Sequence, residues 1–544
     1  MTDPATRRWD YETWWVAMLA AWVSLFSFLI YLRRGELLLY GDAVAHINIA
    51  RRVFDSQTPG PLQLGTVWLP LPHVLMMPFL VSDWAWQTGI GGSIPSMIAF
   101  VLGAVGIFRL VRFTLSVQGE PNGRERIAGW IAVAIYIANP NLIYLQATAM
   151  TEPLYLALFI WATVYFSEFV QTRERSDTAW RSLTKCGLCI LGACLTRYDG
   201  WFLAVTMCLV AVFIAWKEVK TGIFLHSGLR KFVLIAAAAP VLWLAYNAIV
   251  YRNPLEFANG PYSAKAIEKK TATPGYPAHP GAGDLKMAAD FFLKSGELNL
   301  LDSNWHRLWL ALALLGAATV LLFDRRLWPL VFLWAPLPFY MLSIAYGGVP
   351  IFIPPWWPYT IYNARYGIEL LPVFAVFVSL VGFWSMEFFR SRKVTIGTLS
   401  ALGILVVASY TSVWYNQPIS FREGWVNSRT RIALETELAF QLKALPKNST
   451  ILMYLGDHGG ALQQAGVPLR RVIQEGNHRT WIQPSDPEGL WERALADPAK
   501  YANYVVAMDK DAVSQNANLQ SLTTVAILHV TGQPEATIYQ TSKR

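Results

Sequence analysis

The chain contains 544 residues, of which 54% are hydrophobic and only 15% are charged. Soluble domains carry about 25% charged residues, so this composition is too apolar to cover a water-facing surface. The mean hydropathy of +0.33 and the repeated apolar stretches exclude a soluble enzyme, a disordered chain and a disulfide-based scaffold. The net charge of +9 is typical of basic loops beside membrane spans and does not by itself indicate nucleic-acid binding.

Eleven stretches of the chain are apolar over lengths near the roughly 20 residues that a membrane-spanning helix requires. They are residues 14–32, 94–115, 127–145, 152–169, 184–198, 200–216, 231–251, 307–323, 327–346, 366–388 and 394–415. A further apolar stretch, 68–82, is short and contains three prolines, so we expect a shallow or re-entrant segment there. The sequence therefore predicts a polytopic α-helical membrane protein with about 11–13 transmembrane helices.

Basic residues cluster in alternate loops between these spans, and basic loops of membrane proteins face the cytoplasm. The clusters are Arg109 to Arg126, Arg173 to Lys185, Lys217 to Lys231, Arg325 with Arg326, and Arg390 to Lys393, with Arg7 and Arg8 before the first span. We therefore expect a cytoplasmic N-terminus and an outer location for residues 33–93, 252–306, 347–365 and the chain after Tyr415. Arg33 and Arg34 depart from this pattern. The predicted location is the inner (plasma) membrane.

The chain divides by composition into a transmembrane domain, residues 1–415, and a small C-terminal extracytoplasmic α/β domain, residues 416–544. In the second part, the pattern predicts a helix over about 428–444 and strands over Thr450–Leu455, near Arg471–Gln474 and over Tyr504–Met508. A helix near Glu488–Ala496 is expected between the last two of these strands. Two more strands are expected to close the sheet.

The first outer loop contains an acidic residue directly after the first span, in the run from Tyr40 to Arg52. If this run is helical, Asp42 and His46 lie on one face because they are four residues apart, and Arg51 follows on the same helix. The alternative role for Asp42 is capping of an interfacial helix, because an aspartate at a helix start satisfies free amide groups.

Two more outer turns combine acidic, hydroxyl and basic side chains. Glu152 precedes Pro153 at the outer mouth between two spans, where a carboxylate usually faces a polar cavity, although helix capping also explains it. Arg197, Tyr198 and Asp199 form a tight turn between two apolar helices. This turn either holds an ion pair between neighbours or presents a cation to a phosphate.

The tenth span opens with a fourth motif. Arg365 and Tyr366 are placed at the outer interface, where snorkelling is the alternative role for the arginine. Glu369 follows at a spacing that allows an i,i+4 pair with Arg365. The long outer loop, 252–306, adds Tyr262 and Lys265 as candidate ligands for a phosphate.

The four motifs share one property, which is that acids and arginines meet at the outer surface of the bilayer. An arginine offers a planar pair of donors that fits phosphate oxygens. A carboxylate with an ordinary pKa of about 4 is ionised at neutral pH and can accept a proton from an attacking hydroxyl. This combination suits a lipid-linked sugar phosphate, which needs one base and several cations rather than two acids flanking a glycosidic bond.

In their order and sidedness, these motifs resemble the GT-C superfamily of integral-membrane glycosyltransferases, which use polyprenyl-phosphate-linked sugars. The comparison is with its protein O-mannosyltransferase and aminoarabinose-transferase branch. That branch has a short acidic motif straight after its first span, to which Tyr40-Gly41-Asp42 is similar. Recurring family patterns are also similar to Pro70-Leu71-Pro72, Ser93 to Ser96, Thr151 to Tyr155, Thr196 to Gly200 and Arg365-Tyr366. The resemblance covers roughly residues 10–415.

The resemblance implies Asp42 as the catalytic base. Many members of the branch have two adjacent acids in this loop, whereas Asp42 is followed by Ala43, so a second carboxylate would come from Glu152 or Asp199. Arg197 and Arg365 become the candidate phosphate ligands. The remaining candidates for binding the substrate or its lipid phosphate are His46, Arg51, Tyr198, Tyr366, Tyr262 and Lys265.

The predicted function is inverting transfer of a sugar from a polyprenyl-phosphate donor to an acceptor hydroxyl at the outer face. The acceptor class stays open between a lipid, a glycan and a protein; membrane lipids are expected partners and nucleic acids are not. A transporter or lipid flippase with an outer accessory domain is the alternative, and a membrane scaffold is a third. No H-x-x-x-H pair indicates a protein metal site, although a divalent cation held partly by substrate phosphate stays open.

Overall fold

The computed structural model describes residues 10–116, 123–171, 177–218, 227–271, 278–303, 305–456, 458–477 and 488–542. Arg7, Arg8, Arg173 and Arg175, which the orientation argument used, lie outside these residues. Up to Tyr415 the described chain is helical, and a five-stranded sheet follows near its end.

The helices before residue 416 differ widely in length, from four residues to 26. They are α1 (Tyr11–Arg34), α2 (Gly41–Arg52), α3 (Leu71–Met76), α4 (Asp83–Thr88), α5 (Ile90–Leu115), α6 (Gly123–Ile137), α7 (Pro140–Gln146), α8 (Glu152–Gln171), α9 (Asp177–Cys194), α10 (Asp199–Glu218), α11 (Ser227–Tyr251), α12 (Glu256–Asn259), α13 (Ala264–Thr271), α14 (Leu285–Leu298), α15 (His306–Leu322), α16 (Pro336–Tyr346), α17 (Leu371–Phe389) and α18 (Arg392–Tyr415). Short 3₁₀ helices cover Pro61–Leu64, Met77–Phe79, Arg325–Trp334 and Ala364–Leu370.

Eight helical segments of the described chain are long and apolar enough to cross a membrane. They are Tyr11–Arg34, Ile90–Leu115, Glu152–Gln171, Asp199–Trp216, Ser227–Tyr251, Arg325–Tyr346, Ala364–Phe389 and Arg392–Ala444. A ninth consists of α6 and α7 together, whose axes differ by 63°. The break occurs because Asn139 caps α7 with its side chain and Pro140 begins the new helix.

This count confirms a multi-pass helical membrane protein but is lower than the eleven spans expected from the sequence. All eleven predicted stretches contain helix, but two of these helices are too short or too polar to count as membrane spans. The stretch 307–323 corresponds to α15, which has only 17 residues, and the stretch 184–198 overlaps the second half of α9, which ends at Cys194 and begins with polar residues. The stretch 68–82 contains only the six-residue α3 and one 3₁₀ turn, which is too short to cross a bilayer.

Two of the spans form the centre of the bundle. Of the most apolar window of Ala364–Phe389, 89% of the residues are buried, against 22% for the window of α11. The corresponding share for α8 is 72%. Arg365 and Glu152 lie at the N-terminal ends of these two central segments, so two of the predicted site residues begin next to the core.

The chain after α18 continues as the long helix α19 (Ile419–Ala444) and then forms a small α/β unit. Its helices are α20 (Gly460–Ala465), α21 (Leu490–Ala496), α22 (Pro498–Tyr501) and α23 (Ala512–Asn516), and its strands are β1 (Ile451–Met453), β2 (Val472–Ile473), β3 (Tyr504–Met508), β4 (Thr523–Leu528) and β5 (Ala536–Gln540). The strand order is β2-β1-β3-β5-β4, and β5 runs antiparallel to both of its neighbours. The expected strands are therefore present, and the long helix begins nine residues earlier than the predicted 428.

The C-terminal unit packs on residues 33–93, the segment predicted as the first outer loop. The side chain of Gln463 on α20 donates to the Trp86 carbonyl at 2.6 Å and accepts from Asn48 of α2 at 3.2 Å. Arg431 of α19 donates to the carbonyls of Leu38 and Leu39, just before α2. These contacts bring α19 beside the helix that carries Asp42.

Candidate active site

Arg365 is the centre of the candidate site. It lies in the 3₁₀ turn that leads into α17 and is buried. Its Nη2 donates to Asp42 at 2.5 Å, its Nε donates to Glu152 at 3.1 Å, and its Nη1 contacts Glu423. Four distant parts of the chain therefore meet at one guanidinium group.

Two aromatic rings lie close to this guanidinium. The Tyr40 and Tyr366 rings lie 4.9 Å and 4.8 Å from the Arg365 Cζ atom. Tyr366 also lies 4.7 Å from the Cζ atom of Arg197, so one ring contacts both arginines. Rings at this distance stabilise a cation and keep its plane fixed.

Arg197 forms the second half of the site. Its Nε contacts Asp199 at 3.1 Å, its Nη1 contacts Thr151 and Glu152, and its Nη2 contacts Tyr340 and Glu369. The local ion pair of Arg197 with Asp199, expected as one alternative, is therefore present. It is embedded in a larger network, because the remaining partners come from three other parts of the chain.

Glu152 joins the two arginines. Its Oε1 lies 3.1 Å from Arg365 and 3.5 Å from Arg197, and its side chain is fully buried. Glu152 is the first residue of α8, where the helix dipole favours a negative charge. Its Oε2 has no hydrogen-bond partner among the described residues.

Glu369 pairs with a different arginine from the one expected. The i,i+4 spacing predicted a pair with Arg365, but Glu369 contacts Arg197 at 3.2 Å and accepts from the Tyr340 hydroxyl at 2.7 Å. The reason is that residues 364–370 form a 3₁₀ helix rather than an α-helix. With three residues per turn, positions four apart point about 120° away from each other.

The five carboxylates of this cluster differ sharply in exposure. The side chain of Asp42 is 42% exposed, whereas those of Glu152, Asp199, Glu369 and Glu423 are buried. Asp42 is the second residue of α2, and the N-cap is Tyr40, so capping by Asp42 is wrong as an alternative. Of the five, Asp42 is therefore the carboxylate that an incoming hydroxyl group reaches most easily.

His46 lies one turn after Asp42, and its contacts are with residues outside the arginine cluster. Its Nδ1 is 2.9 Å from Nε2 of His73, and its ring lies 4.8 Å from that of Trp68. Burial lowers the pKa of His46 to about 4, although the nearby Asp42 and Glu152 charges oppose the shift. His46 is therefore neutral at pH 7, and its contacts connect α2 to α3.

Four other predicted ligands lie apart from the cluster. Arg51 is buried and bound to Asp55 at 2.9 Å and to Asp83, so it holds the first outer loop together. The Tyr198 hydroxyl donates to the Val67 carbonyl at 3.0 Å. Tyr262 and Lys265 lie exposed at the beginning of α13, where Lys265 is beside Gly348.

Glu423, Tyr340 and Tyr40 are the cluster residues that were not proposed from the sequence. Glu423 follows the last span, in the run Ile419-Ser420-Phe421-Arg422-Glu423-Gly424-Trp425, where it stands directly after Arg422. Charged residues are usual on an exposed helix face, so no local pattern distinguishes Glu423 as a site residue.

The described residues contain no group of three or more His, Cys, Asp or Glu side chains that could hold a metal ion. The carboxylates of the cluster are bridged by guanidinium groups instead. Binding of a divalent cation together with a substrate phosphate stays a prediction.

No protein-family model matches the sequence, and no curated protein sequence matches it. Solved structures match over almost the whole chain, and two of them are also covered almost completely themselves. ArnT from Cupriavidus metallidurans bound to undecaprenyl phosphate gives a TM-score of 0.56 at 11% identity, covering 97% of this chain and 98% of that chain. The same protein in the apo state gives 0.54 at 10% identity with the same coverage.

The chain has the GT-C fold. ArnT is a GT-C glycosyltransferase, and the match extends through the C-terminal sheet because both chains are covered almost completely. Archaeal oligosaccharyltransferase AglB from Archaeoglobus fulgidus, in complex with an inhibitory peptide and a dolichol-phosphate, gives a TM-score of 0.48 at 12% identity, covering 98% of this chain and 74% of that chain. The GT-C fold predicted from the short motifs is thus confirmed, and identities this low show the fold alone.

Proposed function

We propose that this protein is an inverting glycosyltransferase that moves a sugar from a polyprenyl-phosphate donor to an acceptor hydroxyl at the outer face of the inner (plasma) membrane. The observation that carries the proposal is the direct contact between a half-exposed carboxylate, Asp42, and a buried guanidinium, Arg365. This contact joins a base and a phosphate-binding cation at one position. The bound undecaprenyl phosphate of the ArnT structure supports a lipid of this class as the carrier.

In the proposed reaction, Asp42 takes the proton of the acceptor hydroxyl as its oxygen attacks the anomeric carbon. The bond between that carbon and the phosphate oxygen breaks on the opposite face, so the configuration inverts. The lipid phosphate leaves with the bonding electron pair, and Arg365 stabilises its negative charge. Positioned donors of this kind are usually the largest single contribution to such catalysis.

The hydrogen bonds assign different tasks to the two arginines. A guanidinium has five N–H groups. Arg197 makes five polar contacts, with Asp199, Thr151, Glu152, Tyr340 and Glu369. The side chain of Arg365 makes three within the described chain, with Asp42, Glu152 and Glu423. Arg365 therefore has donors left for a phosphate, whereas Arg197 organises the carboxylates around it.

Replacement of Asp42 by asparagine tests the proposed base. Asp42→Asn keeps the shape of the side chain and removes the proton acceptor, so turnover of polyprenyl-phosphate-linked sugars is expected to fall about 10²–10⁴-fold. Binding of undecaprenyl phosphate, measured with the same purified protein, is expected to remain.

Asp83→Asn is the matched control. Asp83 is another carboxylate of the first outer loop that pairs with an arginine, but its partner is Arg51 outside the cluster. This variant is expected to keep its turnover. Turnover of Asp42→Asn equal to that of Asp83→Asn would remove Asp42 from the mechanism.

A further inference from the structure

Glu423 reaches the cluster from the segment that follows the last span. It lies on the second turn of α19, and its side chain is 1% exposed. Its Oε1 accepts from the Asn363 backbone N–H at 3.0 Å and contacts Arg365 Nη1, while its Oε2 accepts from the Arg365 backbone N–H at 3.1 Å. One carboxylate thus binds both the backbone and the guanidinium of Arg365.

These backbone contacts fall at a conformationally unusual position. Asn363 has a φ of 55°, in the left-handed region, and the 3₁₀ turn that contains Arg365 begins directly after it. The first N–H groups of a helical turn have no partner within the turn. Glu423 supplies two acceptors there, so it holds the turn in the orientation that directs Arg365 towards Asp42 and Glu152.

The helix that carries Glu423 is itself fixed to the membrane part. The Tyr40 hydroxyl donates to the Ser420 carbonyl at 2.6 Å, and the Ser420 N–H donates to Asn141 Oδ1 at 2.9 Å. A side chain at Gly424 would lie 3.3 Å from Leu39 and from the Tyr144 hydroxyl, which shows how closely the backbone of α19 approaches the first outer loop. Glu423 is therefore anchored on both sides by contacts outside its own helix.

We propose that Glu423 is a positioning residue of the active site, through which the C-terminal segment orients Arg365 for the lipid phosphate. This inference rests on the proposed function. Glu423 contacts no substrate in this account and acts only through Arg365. The segment after the last span therefore contributes directly to the geometry of the active site.

A double-mutant cycle tests the inference with undecaprenyl phosphate in detergent micelles as the probe. The proteins are the wild type, Glu423→Ala, Arg365→Ala and the double variant. We expect Glu423→Ala to weaken binding about tenfold in the wild-type background and to have no further effect when Arg365 is already alanine. Such non-additivity is the signature of a residue that acts through another.

Two further proteins separate positioning from loss of folding. Glu435→Ala removes another buried carboxylate of α19, which pairs with Arg431 at 2.6 Å outside the cluster, and is expected to bind the lipid as the wild type does. Glu423→Gln keeps the side-chain volume but turns an amide N–H₂ towards a donor of Arg365, so weaker binding is expected for it as well. Hydrogen exchange of the amides of Asn363 and Arg365, without lipid, is expected to speed up in both Glu423 variants.

The outcomes distinguish the two hypotheses. No binding of undecaprenyl phosphate by the wild type overturns the proposed function, while the exchange rates still report whether Glu423 holds the turn. Binding that depends on Arg365 but not on Glu423 overturns the inference alone. The same loss on Glu423→Ala in both backgrounds, or an equal loss in Glu435→Ala, also overturns it, because the effect is then structural.

Discussion

In the proposed reaction, Arg365 binds both the carboxylates of the protein and the phosphate of the lipid substrate. The cluster contains two guanidinium groups and five carboxylates, which gives a formal charge of −3 when all are ionised. A lipid phosphate must therefore compete for Arg365, and Asp42 is the partner that gives way most easily because water can reach it.

The histidine pair predicts how stability depends on pH. Burial lowers the pKa of His46 to about 4 and that of His73 well below 6.5, so both stay neutral in the folded protein. The unfolded chain, with ordinary histidine pKa values, takes up protons first as the pH falls. Stability is therefore expected to be complete above about pH 6.5 and to decline from there towards pH 4.

The measurement is the thermal unfolding midpoint of the purified protein across this pH range. His46→Gln keeps a polar contact to His73 and removes one titrating group, so its midpoint should fall less steeply with pH. An identical slope for His46→Gln and the wild type would contradict the assignment of the effect to His46.

Single residues show where sequence reasoning worked. Asp42, Glu152, Arg197 and Arg365 were predicted because acids and arginines combine where the predicted spans meet one face of the membrane, and the structure brings all four together. Arg51 gave the same local signal but binds Asp55 and Asp83. The sequence does not distinguish an arginine that pairs with protein carboxylates from one that binds a substrate phosphate, because the fold determines the partners of each.

At the scale of elements, the position of α2 depends on one glycine of α5. A Cβ atom at Gly92 would lie 2.6 Å from Ile47 Cγ1 and 2.7 Å from Ala149 Cβ. Real Cβ contacts are not this short, so any larger residue must push α2 away from the bundle. Gly92 thereby sets how closely the helix of Asp42 approaches the site.

We expect Gly92→Ala to destabilise the protein by about 1–3 kcal/mol, the usual cost of overpacking, and to reduce turnover because α2 moves. The checks are the thermal unfolding midpoint and turnover with a lipid-linked sugar. Gly397→Ala in α18 is the matched control, since a Cβ atom there has no neighbour within 4 Å in the described chain. Equal stability and turnover for the two variants would disprove the role given to Gly92.

Elements also mark the limit of the sequence prediction. Apolar composition located the long membrane helices but not α13 and α14 in residues 252–306, and it could not show that α6 and α7 are separated by a 63° bend. It also treated residues 364–370 as α-helical, whereas they form a 3₁₀ helix and turn Glu369 towards Arg197. Apolar composition is the same in straight, bent and tightened helices, so these differences depend on packing.

At the scale of the whole molecule, the site is assembled from distant parts of the chain. Asp42 and Arg365 are 323 residues apart in sequence, and Glu423 joins them from the C-terminal side. The sequence predicted the strands of the C-terminal unit, because alternating apolar residues determine them locally. It did not predict that α19 contributes to the site, because that contact depends on how α19 docks against the first outer loop.

The proposed orientation of the whole molecule makes a prediction about accessibility. Lys443 at the end of α19 and Lys393 at the start of α18 are both exposed and are expected on opposite sides of the membrane. In intact cells, a membrane-impermeant maleimide should label Lys443→Cys, whereas Lys393→Cys should react only after lysis. The wild type provides the background, since its four cysteines lie within α9 and α10.

Labelling of Lys393→Cys in intact cells, with Lys443→Cys protected, would reverse the orientation and place Asp42 in the cytoplasm. The proposed reaction at the outer face would then be wrong, although the fold and the cluster would be unaffected.

The partial exposure of Asp42 has a consequence for the fidelity of the proposed enzyme. A base that an acceptor can reach is also accessible to solvent, and a water molecule activated there attacks the same anomeric carbon. The enzyme would then slowly hydrolyse its lipid-linked sugar donor whenever no acceptor is bound. An acceptor that covers α2 as it binds would keep water away from Asp42 and suppress this hydrolysis. The exposure of Asp42 therefore makes the fraction of donor lost to water depend on how often the acceptor site is occupied.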